Sequence, residues 1–505
     1  MKAVTSPHVE LGTEEISKET ICINSQDRML NSCIIGPIGS GKHAQLTIPM
    51  INQDLHHMTH YINQYEQALI NHSSDKITGD FLNGITVISP GNDLCQSVFK
   101  LVQAHKIPES SVYYIDPTNP DTKNINILRG PVDKVAEVFA MVIKEIANSD
   151  DFFFQQAQIN HIKHYVYLLK LHSPLRTATF DDICKMYEDV EHVHYMHGIL
   201  KFRIDLLSEV IKSKNTPEER FKEYELAKEV DAWFDHTIQE KKDSEGETVI
   251  HKSGKYQGQP MYYDNKAEHV MELYNIVKEL STNELIRRVL FGDSTFDFNS
   301  HLEHGGVLLV NTAQEELGDL SNVLGKFILS SLQQAVFQRK LDSLFHHLVV
   351  DRITNYIIEP FIHLLPQARK YKFMITVTDE SLSKIAQRYS PEYLHSLIMN
   401  FRNKVVFGGI SSYDAKMFSA ALYEIVNALY ETVEGKVFTA DELLTQAAYT
   451  YTASIVCDNQ IQTIKQLNAK FVEKEEFSTA TIQVNEVAGQ YWCDSRPDMH
   501  PITNL

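Results

Sequence analysis

The chain has 505 residues, 43% of them hydrophobic and 22% charged, enough for about two to four domain-sized units with buried cores. A net charge of −19, from 47 basic and 66 acidic residues, excludes a general basic footprint for duplex DNA and leaves only a local basic stripe open. Six cysteines with no C-x-x-C pair point to reduced thiols rather than a disulfide framework or zinc site, with Cys33 in the core.

In chain order, residues 1–27 form an acidic, polar N-terminal segment that does not read as a signal peptide. "MLNSCIIG" (29–36) is an apolar strand that runs into a glycine loop, with a helix expected from Lys42. "GITVISP" (84–90) is a second strand, followed by the helical "NDLCQSVFKLVQAHKI", and "SVYYIDP" (111–117) is a third. Buried strands alternating with helices predict the first part of a doubly wound α/β domain over 28–132.

From 133 to 290 the periodicity is helical and predicts an all-α insertion. It is interrupted by "EKKDSEGETVIHKSGKYQGQP" (240–260), which reads as an exposed loop. Within it, Asp181-Asp182 reads as capping charge at a helix N-terminus, and "HVHYMH" (His192, His194, His197) as a surface helix rather than a metal site. "FFF" (152–154) reads as packing at a domain junction.

Strands return at "GGVLLVNT" (305–312), "FHHLVVD" (345–351), "KFMITVTD" (372–379) and "NKVVFGGI" (403–410). They predict a second α/β part over 291–420, completing one mainly parallel sheet that the insertion splits. Arg402 and Lys404, just before the last strand, read as solvated. Residues 421–505 are mixed, and "CDSRPDMHPITNL" reads as irregular. No apolar run approaches the roughly 20 residues that span a bilayer, so a cytoplasmic protein is expected, joined to a membrane only through a partner.

Gly36, four residues, then Gly41-Lys42 is the spacing of a P-loop. Such a loop turns backbone N–H groups toward phosphates at a helix N-terminus, and its lysine reaches the β and γ phosphates. Gly36, Gly39, Ser40, Gly41, Lys42 and His43 are therefore the candidate nucleotide-binding residues. His43 stands where a Ser or Thr would hold magnesium, an ion that prefers hard oxygen donors to imidazole. Asp351, ending an apolar strand, is the candidate metal acid and catalytic carboxylate. The next residue is Arg352, whose guanidinium cannot act as a base.

These features resemble a known family. "GGVLLVNTAQEELGDLSNVLGKFILSSLQQAVFQR" (305–339), "HHLVVD", "QARKYKFMITVTDESLSKI" and "NFRNKVVFGGISSYDAKMFS" are similar to conjugative coupling proteins of the TraG/TraD type, the DNA-pumping ATPases of type IV secretion. "IPESSVYYIDPTNPDTKNINILRGPVDKVAEVFAMVIKEI" and "FFFQQAQ" extend the likeness, which covers residues 28 to 420.

The resemblance implies a RecA-like P-loop NTPase domain with an inserted all-α domain, ATP as ligand, and a homo- or hetero-oligomeric ring around DNA with nucleotide at subunit interfaces. Secretion-channel or relaxase proteins are the implied partners. Arg369 falls where the family has a candidate arginine finger.

The departures are His43, Arg352 in place of a catalytic Glu, and Asp379 in place of a Gln that senses the γ-phosphate. Ser89 and Gly91 replace an acid and a lysine. The expectation is therefore a degenerate member that binds ATP weakly, places Mg2+ poorly, has impaired hydrolysis and serves as an accessory or cargo-recruiting subunit. An active DNA-translocating motor and a non-enzymatic scaffold or mobile-element regulator remain the alternatives.

Overall fold

Strands whose side chains are buried on both faces need apolar residues at every position, and seven such runs lie side by side in the computed structural model. It describes residues 6–14, 17–70, 80–147, 151–212, 217–429, 439–447, 449–457, 460–469 and 471–478. "CDSRPDMHPITNL" lies outside them.

In chain order the strands are β1 (Val9–Glu14), β2 (Thr20–Ile23), β3 (Ser32–Ile35), β4 (Leu82–Ser89), β5 (Val112–Ile115), β6 (Ile238–Glu240) and β7 (Tyr262–Asp264). After these come β8 (Gly306–Asn311), β9 (Phe345–Asp351), β10 (Phe373–Asp379), β11 (Asn403–Phe407), β12 (Tyr451–Cys457) and β13 (Gln460–Ala469).

The chain divides into two units, Met1–Lys123 with Phe298–Leu505, and Asn124–Asp297. The first holds an 11-stranded sheet of order β2-β1-β13-β12-β11-β3-β10-β9-β4-β8-β5. The stretch from β11 to β5 is parallel throughout and contains all seven strands expected from the sequence. At the β11 edge, β12, β13, β1 and β2 continue it antiparallel. The N-terminal segment and part of the C-terminal region thus belong to the main sheet. The helix Ile48–Ile70 packs on β4, and Asn92–Ala104 packs on β4 and β8. Among the described residues, no helix is long and apolar enough to cross a membrane.

Two polar clusters tie this unit together under full burial. Arg28 donates two hydrogen bonds to the Asp54 carboxylate, at 2.6 and 2.8 Å. His347 of β9 donates from Nδ1 to Asp54 Oδ2 at 2.6 Å, and its Nε2 meets Thr376 Oγ1 at 2.8 Å. On the neighbouring position, the Thr86 hydroxyl bridges His301 Nε2 at 2.8 Å and His346 Nε2 at 2.9 Å. A hydroxyl has one proton, so it donates to one ring and accepts from the other.

Lys404 corrects an expectation. It is buried, not solvated, because β11 opens with its ammonium donating to the Phe401 carbonyl at 2.5 Å. Burial lowers its pKa to about 8.

The second unit is helical, built from Val132–Ile146, Phe152–Leu171, Phe180–Glu188, Val190–Ile211, Glu218–Thr237, Met271–Thr282 and Glu284–Leu290. Asp182 closes a capping box with Thr179, accepting its backbone N–H at 2.9 Å. The segment expected to be a plain loop is a ribbon instead: β6 pairs antiparallel with β7, and bridges Lys242–Thr248 and Ile250–Pro260 continue it. His194 stacks on Tyr262, and His197 donates to Asp231 at 2.7 Å. With Asp235, that pair could hold a cation by geometry, but Lys201 already sits 2.6 Å from Asp235. Within this unit Phe152 and Phe153 are mostly exposed, and the rings of Phe153 and Phe154 lie beside His269.

Candidate nucleotide site

Parallel strands in register end at one level, and ligands of such sheets bind beyond their carboxyl ends. Here Asp379 of β10 pairs with Ile35 of β3, and Thr378 with Asp351 of β9. Val350 of β9 pairs with Ile88 of β4. The chain therefore delivers Gly36, Asp379, Asp351 and Ser89 side by side.

The loop leaves β3 at Gly36, whose N–H donates to the Asp379 carbonyl at 3.1 Å. A Cβ at Gly36 would come within 2.6 Å of Ser40 Oγ and 2.8 Å of Phe407 Cβ. Gly39 and Gly41 have φ of +79° and +88°, a region that favours glycine. The Ser40 amide closes a turn on the Pro37 carbonyl at 3.2 Å, while its hydroxyl is buried without a partner. The helix then opens with a π-turn, His43–Thr47, before Ile48–Ile70. Among the described residues, the amides of Gly41, Lys42, His43 and Ala44 have no acceptor within the protein. These are the orphan donors that an anion satisfies at a helix N-terminus.

Lys42 is buried and donates from Nζ back to the Gly36 carbonyl at 3.1 Å. Burial lowers its pKa, and the nearby carboxylates, Asp351 foremost, offset part of that. An incoming phosphate would stabilise the charged ammonium further.

Asp351 is 3% exposed, and both of its oxygens are engaged. Oδ1 accepts from His43 Nε2 at 2.8 Å and from the Thr378 hydroxyl, and Oδ2 accepts from Ser89 Oγ at 3.3 Å. Burial alone would raise the Asp351 pKa, but the His43 hydrogen bond and charge, followed by Thr378 and Lys42, bring it below its ordinary value. The Ser89 and Thr378 partners carry no signal in the sequence. Ser89 was visible only as a replacement for an acid.

This set does not fit a magnesium ion. The ion needs near-octahedral oxygen ligands, whereas the site offers an imidazole and one carboxylate already taken by three protein donors.

The remaining residues occupy different places. Arg352 has a left-handed backbone (φ +53°) and forms an ion pair with Glu380, Nη2 to Oε1, at 2.9 Å. The Asp379 carboxylate accepts the amides of Thr354 at 2.9 Å and Glu380 at 2.7 Å, so its charge is committed to the backbone. Arg369 is exposed at the start of β10, and the seven residues of that strand separate it from the loop by roughly 20 Å. It therefore does not join the intramolecular site.

No family model matches the chain, and no curated protein is similar to it in sequence. Solved structures are. The bacterial conjugative coupling protein TrwBdeltaN70, in its unbound monoclinic form, superposes with a TM-score of 0.52 at 13% identity, covering 91% of this chain and 90% of that one. The chain has the coupling-protein fold. TrwB in complex with the non-hydrolysable GTP analogue GDPNP gives a TM-score of 0.51 at 13% identity, covering 90% of both chains. TrwB in complex with ADP and Mg2+ gives the same score and identity over 90% of this chain and 89% of that one. The architecture is thus the RecA-like P-loop sheet with a helical insertion that the sequence implies, with the added ribbon β6–β7.

Proposed function

We propose that this chain is a coupling-protein-like subunit of a type IV secretion, DNA-transfer system that holds ATP weakly and hydrolyses it poorly. It acts as an accessory or cargo-recruiting subunit in a ring with itself or an active relative. The observation that carries this reading is the hydrogen bond from His43 to Asp351, next to a loop whose phosphate-binding donors are otherwise in order. That TrwB is solved with GDPNP and with ADP and Mg2+ supports nucleotide as the ligand class. Fold alone does not fix function, so the residues must support the rest.

In this reading the amides of Gly41 to Ala44 and the Lys42 ammonium hold the β and γ phosphates, while Gly36 and Gly39 keep the loop open. Ser40, with its unpartnered hydroxyl, adds a donor. Among the described residues, these three are not free to activate water: Arg352 cannot be a base, Glu380 faces it as an ion pair, and Asp351 is taken by protein donors. Arg369 serves, if at all, across a subunit boundary. A relaxase or secretion-channel protein is the proposed partner, with DNA as cargo of the assembly and the subunit on its cytoplasmic side.

Calorimetry with ATP, together with a phosphate-release assay and Lys42→Ala as control, tests the reading. Lys42-dependent binding with negligible release supports it. Lys42-dependent release would establish the motor, and no binding would establish a scaffold.

A further inference from the structure

We infer that this site takes nucleotide without needing magnesium, because His43 supplies to Asp351 the contact that a magnesium ion would otherwise make. It rests on the nucleotide-holding reading above and goes beyond it by removing magnesium from the binding.

The acids around Lys42 are already engaged within the protein. Three carboxylates act on its ammonium: Asp351, Glu380 and Asp379. Asp351 accepts from His43, Thr378 and Ser89. Asp379 accepts from the amides of Thr354 and Glu380. Glu380 is paired with Arg352 at 2.9 Å. Asp351 and Asp379 are held by protein donors, and Glu380, whose Oε1 receives no hydrogen bond, already faces the Arg352 charge. A divalent ion seated against Asp351 would have to displace the imidazole, and the displaced ring is a poor ligand for it. The position after Lys42 carries no hydroxyl to complete an oxygen set.

The anion side, by contrast, needs no ion. Four loop amides without acceptors and the Lys42 ammonium, which donates to the Gly36 carbonyl of the same loop, are the donors available to phosphates. These donors serve a polyphosphate whether or not magnesium is bound to it, so affinity gains nothing from the metal. In a hydroxyl-bearing loop the ion joins protein to phosphate. Here the protein closes that contact internally, through a bond between residues 308 positions apart.

The test is titration calorimetry of the full chain with ATP, in EDTA and in excess Mg2+, on the wild type, His43→Ser and His43→Gln. The wild-type Kd should differ by less than about threefold between the two conditions, a free-energy difference too small for a bridging ion. His43→Gln keeps an N–H donor to Asp351 and should behave like the wild type. His43→Ser frees the carboxylate and restores a hydroxyl, so Mg2+ should tighten its binding about tenfold more than it tightens the wild type's.

Mg2+-dependent tightening of the wild type by about threefold or more would overturn the inference and leave the nucleotide-holding reading standing. An equal Mg2+ response in wild type and His43→Ser would also overturn it. No ATP binding in either condition would overturn both. Should His43→Ser fail to fold by circular dichroism, the two wild-type titrations decide alone.

Discussion

Glu380 Oε1 lies 2.9 Å from Arg352 Nη2, where the neighbouring parallel strands β9 and β10 end. In the proposed reading, the position of a motor's water-activating acid is held by a cation, and Glu380, which follows the next strand, faces that cation. Replacing Arg352 by Glu would set two carboxylates against each other while leaving Asp351 engaged by His43. Arg352→Glu is expected to keep phosphate release at background and to lower Tm modestly, a half-buried, partly screened ion pair contributing on the order of 1 kcal/mol. A tenfold rise in release above background would show that Arg352 alone silences the site.

Gly36 is fixed by contact rather than by backbone angle, since a Cβ there meets Ser40 Oγ at 2.6 Å and Phe407 Cβ at 2.8 Å. Gly36→Ala should push the loop off the sheet and weaken ATP binding at least about tenfold, equivalent to about 1.4 kcal/mol. Gly91→Ala, with nothing within 4 Å of its Cβ, should leave binding unchanged. Equal effects from the two substitutions would contradict the loop geometry.

Three buried histidines make stability depend on pH. Burial, and then the Arg339 charge, pushes His301 down to about 3. Burial holds His346 well below its ordinary value and lowers His347 against the pull of Asp54. Because the folded-state values are depressed, the unfolded chain binds more protons below the ordinary histidine pKa of about 6.5. Stability is therefore complete above that pH and lost as pH falls toward about 3 for His301. His301 alone should contribute a loss of about 2 kcal/mol between pH 6.5 and 5. Urea unfolding at the two pH values should show this, with a shallower dependence in His301→Gln. An unchanged midpoint would rule the mechanism out.

Arg369 stands roughly 20 Å from the loop of its own chain, at the far end of β10. Arg369→Ala should leave Tm and the ATP affinity of the isolated chain unchanged within about twofold. Any effect should appear only in mixtures with an active relative, and should grow with protein concentration. A large loss of affinity in the isolated chain would show that Arg369 reaches its own site.

The parts of the fold legible in the sequence are those whose burial demands an unbroken apolar run. β4 is buried at all eight positions and β9 at all seven, and both are plain in the sequence. The antiparallel extension is not, because β13 reads "QIQTIKQLNA" and β1 "VELGTE", polar enough to pass for loops. The ribbon β6–β7 is hidden for the same reason, its strands being only three residues each.

At the site, spacing exposes Lys42, His43 and Asp351 one at a time. What it cannot expose is that His43 and Asp351 bond to each other, since 308 positions separate them and only strand register joins them. Asp379 illustrates the same limit. Its charge is visible, yet the amides that hold the charge come from β10's own exit turn and from Thr354 after β9.

The proposed function pairs a loop that holds nucleotide with disabled chemistry. The most direct measurement is phosphate release from ATP by the purified full chain, compared with Lys42→Ala at saturating ATP, with binding followed in the same samples. The account predicts ATP binding that Lys42→Ala abolishes, and release indistinguishable from the variant's. Release that exceeds background and disappears in Lys42→Ala would contradict it, and would make this chain a working motor despite His43 and Arg352.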